Sequence, residues 1–270
     1  MTVPVAVNTG AATHRGRRRT VNEDAQLAAA PVFIVADGMG GHEVGEQASA
    51  AVIDEFAALV GRPSLGLDDV RQASARARRT VDQFVHSASA RAGTTLSGVA
   101  IAAVDGLGYW LVVNIGDSRT YRFADGELEQ ITVDHSVIQE LLDSGELTPD
   151  QARSDSRRNV ITRAIGAGST GDADYWLFPA ERGDRMLICS DGLTTELDDA
   201  RIREVLRAER DPQRAAVQLT AEAVEAGGRD NITVVVVDAE FVATRPGTIV
   251  LADEVDDDTR PRAALTGGFR

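Results

Sequence analysis

Short apolar runs alternate along the chain with longer stretches that are rich in alanine and arginine. The apolar runs predict strands over residues 26–29, 32–36, 96–104, 109–115, 119–123, 128–132, 175–178, 185–189 and 233–238. Helical spacing predicts helices over residues 44–60, 68–90, 136–144, 198–207 and 212–226. In the second helix the apolar positions that recur at this spacing are Val70, Ala73, Ala77, Val81, Phe84 and Val85.

The order of these elements predicts an α+β fold. Several consecutive strands are joined by short turns, such as Asp125-Gly126, and strands joined in this way pair antiparallel. Helices stand between the groups of strands. We therefore expect two antiparallel sheets packed face to face with helices outside them, a four-layer α-β-β-α sandwich.

Composition divides the chain into three parts. Residues 1–12 are small and lack a clear period, which predicts a flexible N-terminus, and residues 13–242 form the folded domain. Within that domain, residues 136–168 are polar, interrupt the strand series and predict an inserted flap. Residues 243–270 contain an acidic run with two prolines, which predicts a disordered tail. The tail can be a linker, a partner site or an autoinhibitory anion mimic.

Four aspartates stand at the ends of predicted strands, beside glycine turns. Asp37, Asp117 and Asp191 follow apolar runs, and Asp230 stands just before the last run. Acids at such positions are held firmly by the sheet and lie at its rim. If they converge, their carboxylates form the oxygen-rich site that hard divalent cations prefer. This pattern indicates a metal-dependent enzyme.

Charge and composition limit the partners. The formal net charge of −14 disfavours nucleic acid as a ligand. No apolar stretch approaches the roughly 20 residues of a membrane span. The one cysteine, Cys189, lies inside an apolar run and fits a reducing compartment. We therefore expect a cytoplasmic protein with a buried thiol and with no membrane or nucleic-acid partner.

A second group of candidate residues lies nearer the N-terminus. Arg19 stands just ahead of Asn22-Glu23-Asp24. A guanidinium can grip two phosphate oxygens while carboxylates hold cations, although a run of arginines alone is more often a solvated turn. His42 precedes the first predicted helix, and it is either a neighbour of the helix start or a possible proton donor.

Eight short strings follow one another along the chain in a particular order. They are Arg-x-x-Asn-Glu-Asp, Ala-Asp-Gly-Met-Gly-Gly-His, Gly-Thr-Thr, Gly-Asp-Ser-Arg, Asp-His-Ser, Thr-Arg-Ala-Ile-Gly, Ser-Asp-Gly-Leu and Arg-Asp-Asn. On these strings the chain resembles the bacterial branch of the metal-dependent serine/threonine protein phosphatases, the PPM or type 2C family. The resemblance covers residues 16–237 and implies the same four-layer sandwich with a two-metal centre at one sheet edge.

The resemblance also implies the ligands of the two metal ions. Asp37 resembles the acid that bridges both ions, and the Gly38 carbonyl resembles a ligand of the second ion. Asp191 and Asp230 resemble ligands of the first ion. Glu23 resembles an acid on the side of the second ion.

Further roles are implied around this centre. Asp24 and Asn231 resemble residues that stand behind the metal ligands, and Arg19 resembles the phosphate-binding arginine. Asp117 resembles the ligand of a third, weaker ion. Residues 136–168 resemble the family's flap.

The activity that the resemblance implies is hydrolysis of phosphoserine and phosphothreonine in proteins. Two Mn²⁺ or Mg²⁺ ions would hold a bridging hydroxide that attacks phosphorus directly. The implied partners are phosphorylated proteins, including bacterial Ser/Thr kinases and their substrates. We expect a monomeric phosphoprotein phosphatase that opposes those kinases.

Two positions depart from the family pattern. Met39 stands where the eukaryotic members have a histidine that protonates the leaving oxygen. By this resemblance, His42 or a metal-bound water has to donate that proton instead. Thr195 stands where members often carry an acid that supports the third ion. A neutral side chain there should weaken that site and predicts weak occupancy by the third metal ion. Glu196 is the residue that could compensate, but it would point elsewhere.

Two other classes of function compete with this interpretation. A non-catalytic relative would bind phosphoproteins without hydrolysing them, but it has no need for a full set of acids. A two-metal nuclease would need a basic groove, which this acidic chain does not predict.

Overall fold

The computed structural model describes residues 3–40, 43–88, 92–152, 155–157, 160–169 and 171–244. Its strands are β1 (Val5–His14), β2 (Asp24–Ala29), β3 (Val32–Met39), β4 (Gly93–Thr94), β5 (Leu96–Val104), β6 (Leu107–Ile115), β7 (Arg119–Ala124), β8 (Glu127–Gln130), β9 (Ile165–Gly166), β10 (Asp174–Pro179), β11 (Arg185–Cys189) and β12 (Ile232–Val242). Its helices are α1 (Glu43–Ala57), α2 (Leu67–Ala88), α3 (Val137–Asp143), α4 (Pro149–Ala152), α5 (Asp191–Thr194), α6 (Asp199–Ala208) and α7 (Pro212–Ala226).

Two antiparallel sheets pack face to face, as the sequence predicts. One has the order β1-β12-β11-β7-β8, and the other has the order β10-β6-β5-β3-β4-β9 with β2 on the free side of β3. Phe33 and Trp110 from the second sheet meet Met186 and Val235 from the first in a shared core. Helices α1 and α2 cover the outer face of one sheet, and α6 and α7 cover the other. The four-layer α+β prediction is therefore confirmed.

The second helix buries only part of its predicted apolar stripe. The side chains of Val70, Ala73, Ala77 and Val81 are buried against the sheet. Val85 is partly buried against the same core, whereas Phe84 is 39% exposed. The period therefore predicts the buried face of α2 well, with Phe84 as the exception.

The prediction of a flexible N-terminus over residues 1–12 is wrong for most of that segment. Strand β1 pairs with β12 along its whole length, and Val5 is fully buried. Its small residues carry too little hydrophobic contrast to indicate a strand. Tertiary contacts hold it: Gln213 exchanges hydrogen bonds with the backbone of Ala11, and a side chain at Gly10 would collide with the backbone of α7. The folded domain therefore begins at Val5.

The segment predicted as a flap contains α3, α4 and β9. Ser136 caps α3 by accepting a hydrogen bond from Gln139 N, and it bridges to Ile161. At the C-terminus, Ala243 N donates to Pro4 O at 2.8 Å, and residues 245–270 of the predicted tail lie outside the described residues. None of the described helices is long and apolar enough to cross a membrane.

Candidate metal centre

The predicted acids line one cavity at the edge of the two sheets. Asp37 lies near the end of β3, Asp191 begins α5 directly after β11, and Asp230 lies just before β12. The cavity has a volume of about 230 Å³. It is lined by Arg19, Glu23, Asp37, Gly38, Met39, Gly40, Asp117, Ile161, Asp191 and Asp230.

The carboxyl groups of Asp37 and Asp191 are in hydrogen-bond contact in this cavity. Burial and the neighbouring acids raise the pKa of Asp37 well above its usual range. Burial and Asp230 raise the pKa of Asp191 to about 6, and burial and Asp191 raise the pKa of Asp117 to about 8. Two carboxylates in contact need a proton or a cation between them. The chemistry of this donor set therefore fits divalent cations.

Asp230 is held by a different partner. Its Oδ2 accepts a hydrogen bond from Arg19 Nη2 at 2.7 Å, and its Oδ1 accepts one from Asn231 N at 2.8 Å. Among the described residues, no three Asp, Glu, His or Cys side chains already surround a point that would hold a metal ion. The engagement of Asp230 with Arg19 is a physical reason for this, since a cation has to replace Arg19 there.

Glu23 and Gly38 are placed against helix α1. Gly38 N donates to Glu23 O at 3.2 Å, and the Glu23 side chain is buried. A Cβ at Gly38 would lie 2.5 Å from Glu23 O, and a Cβ at Gly45 of α1 would lie 3.1 Å from Glu23 Oε1. Only glycine at position 38 allows the helix, β3 and the backbone of Glu23 to approach this closely.

Asp24 lies behind the cavity. Ser190 Oγ donates to Asp24 Oδ2 at 2.8 Å, and burial raises the pKa of Asp24 to about 7. Its Oδ1 is buried and accepts no hydrogen bond from the described part of the chain. Burial therefore favours the protonated form of Asp24, which lies next to the acids that line the cavity.

Asn231 ties the N-terminal loop of the site to β12. Its Oδ1 accepts a hydrogen bond from Glu23 N at 2.9 Å. Its Nδ2 donates to Arg15 O at 2.9 Å and to Val21 O at 3.0 Å. The side chain thus positions the loop that carries Arg19 and Glu23.

Two hydroxyl contacts that the sequence does not reveal position Asp37. Thr95 Oγ1 accepts a hydrogen bond from Asp37 N at 2.9 Å, and Thr95 N donates to Asp37 O at 2.9 Å. Thr95 Oγ1 in turn lies 2.7 Å from Ser118 Oγ. Both residues occur in strings quoted above, but a hydroxyl that orients a backbone group leaves no pattern along the chain.

The turn that carries Asp117 is held by a histidine. His135 Nδ1 accepts a hydrogen bond from Gly116 N at 3.2 Å, so its proton lies on Nε2, which donates to Asp174 Oδ2 at 3.0 Å. His135 is buried, and Asp174 is the first residue of β10. This network links the rim of the acid cavity to the start of β10.

The residues that depart from the family pattern fall in different places. Met39 lines the acid cavity, and Thr195 lines a neighbouring cavity of about 510 Å³ together with Asp117 and Asp191. Glu196 lines neither cavity and accepts three hydrogen bonds from Arg229 at 2.8, 3.1 and 3.0 Å. His42 lies outside the described residues.

Comparison with known proteins identifies the family. The family model described as Protein phosphatase 2C matches residues 12–225. Serine/threonine protein phosphatase PstP of Mycobacterium tuberculosis is 37% identical, over 97% of this chain and 51% of PstP, so the chain spans about half the length of that relative. Serine/threonine phosphatase stp of Listeria monocytogenes is 32% identical, over 85% of this chain and 94% of stp.

A solved structure agrees with this assignment. The crystal structure of the catalytic domain of serine threonine protein phosphatase PstP in complex with two manganese ions has a TM-score of 0.78 and 36% identity, and the match covers 86% of this chain and 97% of that one. The chain belongs to the protein phosphatase 2C family.

Proposed function

We propose that this protein is a metal-dependent phosphatase that hydrolyses phosphoserine and phosphothreonine in other proteins. The observation that carries the proposal is the contact between the partly buried carboxyls of Asp37 and Asp191 in a cavity that Arg19 also lines. Relatives that match most of this chain are named serine/threonine phosphatases, which supports the same activity.

We assign two Mn²⁺ or Mg²⁺ ions to this cavity. Asp37, Asp191 and Asp230 would hold one ion, and Asp37, Glu23 and the Gly38 carbonyl would hold the other. When bound, the ions supply the Lewis acidity that activates water and neutralises phosphate charge. The two manganese ions in the PstP catalytic domain support this assignment.

The protein's own side chains bind and orient the phosphate. The Arg19 side chain is half exposed at the rim, where its fork can take two phosphate oxygens once Asp230 is engaged by an ion. Thr95 and Asn231 hold Asp37 and the Glu23 loop in place. Met39 has no proton to give to the leaving oxygen, so a water has to give it, or His42 does as the sequence suggests.

The partners that we propose are phosphorylated proteins in the cytoplasm, including Ser/Thr kinases and their substrates. Three observations are consistent with this setting. The net charge is −14, the only cysteine in the chain is buried as a free thiol, and no described helix is suited to a membrane. We propose a monomer as the active form, with light scattering as the check.

The test is hydrolysis of p-nitrophenyl phosphate and of a phosphothreonine peptide, each with Mn²⁺ and with EDTA. We expect turnover only with the metal, and a loss on the order of 10³-fold or more in Asp37→Asn, because one bridging carboxylate is removed. Asp54→Asn, on the exposed face of α1, is the matched control and should retain full activity.

Other outcomes separate the competing functions. A non-catalytic relative would bind the phosphopeptide with Mn²⁺ present and release no phosphate. A nuclease would hydrolyse bis-p-nitrophenyl phosphate faster than the monoester. Retained turnover in Asp37→Asn would overturn the proposed function.

A further inference from the structure

Strand β10 is the outermost of the described strands on one side of the seven-stranded sheet. Ala180 N donates to Gly108 O at 3.0 Å, and along an antiparallel strand every second residue faces the same neighbour. Tyr175 and Leu177 therefore direct their backbone N–H and C=O groups away from β6. This edge can accept one more strand.

An apolar surface lies beside this edge. A cavity of about 180 Å³ is lined by Leu65, Leu67, Val104, Leu111 and Leu177, among others. Leu67 is 38% exposed, Val104 is 37% exposed and Leu177 is 52% exposed. Apolar side chains next to an open strand edge favour a β-strand as the occupant, since the strand satisfies both the backbone groups and the side chains.

A basic cavity lies at the other end of the same strand. It has a volume of about 530 Å³, and its lining includes Arg71, Arg78, Arg79, Tyr175 and one acid, Asp172. The Arg71 guanidinium lies 5.4 Å from the centre of the Tyr175 ring. Three arginines around one cavity favour an acidic ligand in a chain whose overall charge is −14.

The described chain ends close to the start of this surface. Ala243 O accepts a hydrogen bond from Gly108 N at 3.1 Å, and Gly108 O is bonded to Ala180, the residue after β10. Beyond Thr244 the sequence continues Arg-Pro-Gly and then Thr-Ile-Val-Leu-Ala, a run with high β propensity. Three extended residues span roughly 10 Å, about two strand spacings, which is enough to reach the outer side of β10.

We propose that residues 248–252 of this chain add to the free edge of β10 as an antiparallel strand. The segment enters at Pro179 and runs towards Asp174, so its apolar side chains reach the Leu177 cavity. The next residues of the chain are Asp253, Glu254, Val255, Asp256, Asp257 and Asp258. That acidic run arrives at the Tyr175 end of β10, where the three arginines lie.

The test is amide hydrogen exchange of the full chain, resolved at Tyr175 and Leu177. We expect both amides to exchange at least tenfold more slowly in the native protein than in I249D/L251D, in which two charges disrupt the added strand. A263D/L265D adds the same two charges beyond the acidic run, and it should exchange like the native protein. Equal rates within twofold for the native protein and I249D/L251D would overturn the proposal.

A second arm tests the acidic run and the identity of the occupant. In the double variant R71Q/R79Q, the Tyr175 and Leu177 amides should exchange at least threefold faster than in the native protein. In R203Q, which removes an exposed arginine elsewhere, their exchange rates should not change. Unchanged protection in R71Q/R79Q would overturn the contact between the acidic run and the arginines. Protection that rises with protein concentration would show that a second copy of the chain covers β10 instead.

Discussion

Arg19 Nη2 donates to Asp230 Oδ2 across 2.7 Å, so two residues 211 positions apart in the chain share one ion pair at the rim of the acid cavity. The Arg19 side chain is 50% exposed and that of Asp230 is 33% exposed. A pair as exposed as this contributes about 1 kcal/mol or less. A divalent cation can therefore displace Arg19 from Asp230 at small cost and leave the guanidinium available to a phosphate.

Arg19→Ala should separate metal binding from phosphate binding. Without the competing guanidinium, Mn²⁺ should bind several-fold more tightly. The KM for a phosphothreonine peptide should rise by roughly 10- to 100-fold, because charge-assisted hydrogen bonds to the phosphate are lost. Titration calorimetry and steady-state kinetics measure the two effects, with Arg18→Ala as the control. Weaker Mn²⁺ binding in Arg19→Ala would instead show that Arg19 orders Asp230 for the ion.

The stability of the protein in EDTA should fall as the pH rises. Burial raises the pKa of Asp191 to about 6, of Asp24 to about 7 and of Asp117 to about 8, and that of Asp37 well above its usual range. Unfolded aspartates have pKa values of about 3.9, so the folded state binds more protons between these limits. The contribution of these groups to the free energy of unfolding is fully present below about pH 4 and is lost as the pH rises through about 6 to 8.

Urea unfolding in EDTA at pH 5.5 and pH 8.5 measures this effect. The midpoint should be lower at pH 8.5, and Asp37→Asn should raise it there because one buried charge is removed. Mn²⁺ should stabilise the native protein more at pH 8.5 than at pH 5.5, since cations then replace protons between the carboxylates. A midpoint in EDTA that rises with pH would contradict the prediction.

Glu196→Ala should weaken Mn²⁺ binding without touching a metal ligand. The Glu196 side chain is only 1% exposed. It accepts hydrogen bonds from the N, Nε and Nη2 atoms of Arg229, which lies in the loop that leads to Asp230. We expect the affinity for Mn²⁺ to fall roughly tenfold if the loop is released, because hydrogen bonds from both the backbone and the side chain of Arg229 are then lost. Calorimetry is the measurement, and Glu204→Ala, whose side chain is 65% exposed, is the control. Unchanged affinity with lower stability would confine Glu196 to folding.

Thr195→Asp should strengthen a third metal site. Thr195 shares a cavity with Asp117 and Asp191, so an added carboxylate there would give an ion a further oxygen ligand. A Mn²⁺ titration should show a weak third site in the native protein and one at least tenfold tighter in Thr195→Asp. Thr195→Asn, of similar size and neutral, should leave the third site weak. Sub-millimolar affinity at Asp117 in the native protein would contradict the assignment of a weak site.

The sequence was sufficient to predict the acids that line the cavity, whereas it did not indicate most of the residues that position them. Asp37, Asp191 and Asp230 each lie beside a strand end, and strand ends of a packed sheet meet at one rim. Thr95 and Ser190 act through hydrogen bonds to residues 58 and 166 positions away, Asp37 and Asp24. No periodicity along the chain records such a contact.

The flanks of the domain show the same division. Strand β1 has alanine, glycine, asparagine and threonine where a strand signal needs apolar contrast, and its pairing with β12 is what makes it a strand. The position of β10 as the outermost of the described strands is likewise a property of the sheet order and not of the run Tyr-Trp-Leu-Phe, which is typical of a buried strand.

Local patterns were thus sufficient to predict the four-layer fold, the set of acids and the family. Each hydrophobic period and each strand-end motif lies within a short stretch of the chain. Packing was needed for the contacts between those stretches. It placed the Asp37 and Asp191 carboxyls in contact, paired Arg19 with Asp230 and turned Glu196 towards Arg229. These relationships depend on which distant segments meet, and the free energy of burial, rather than any local propensity, determines that.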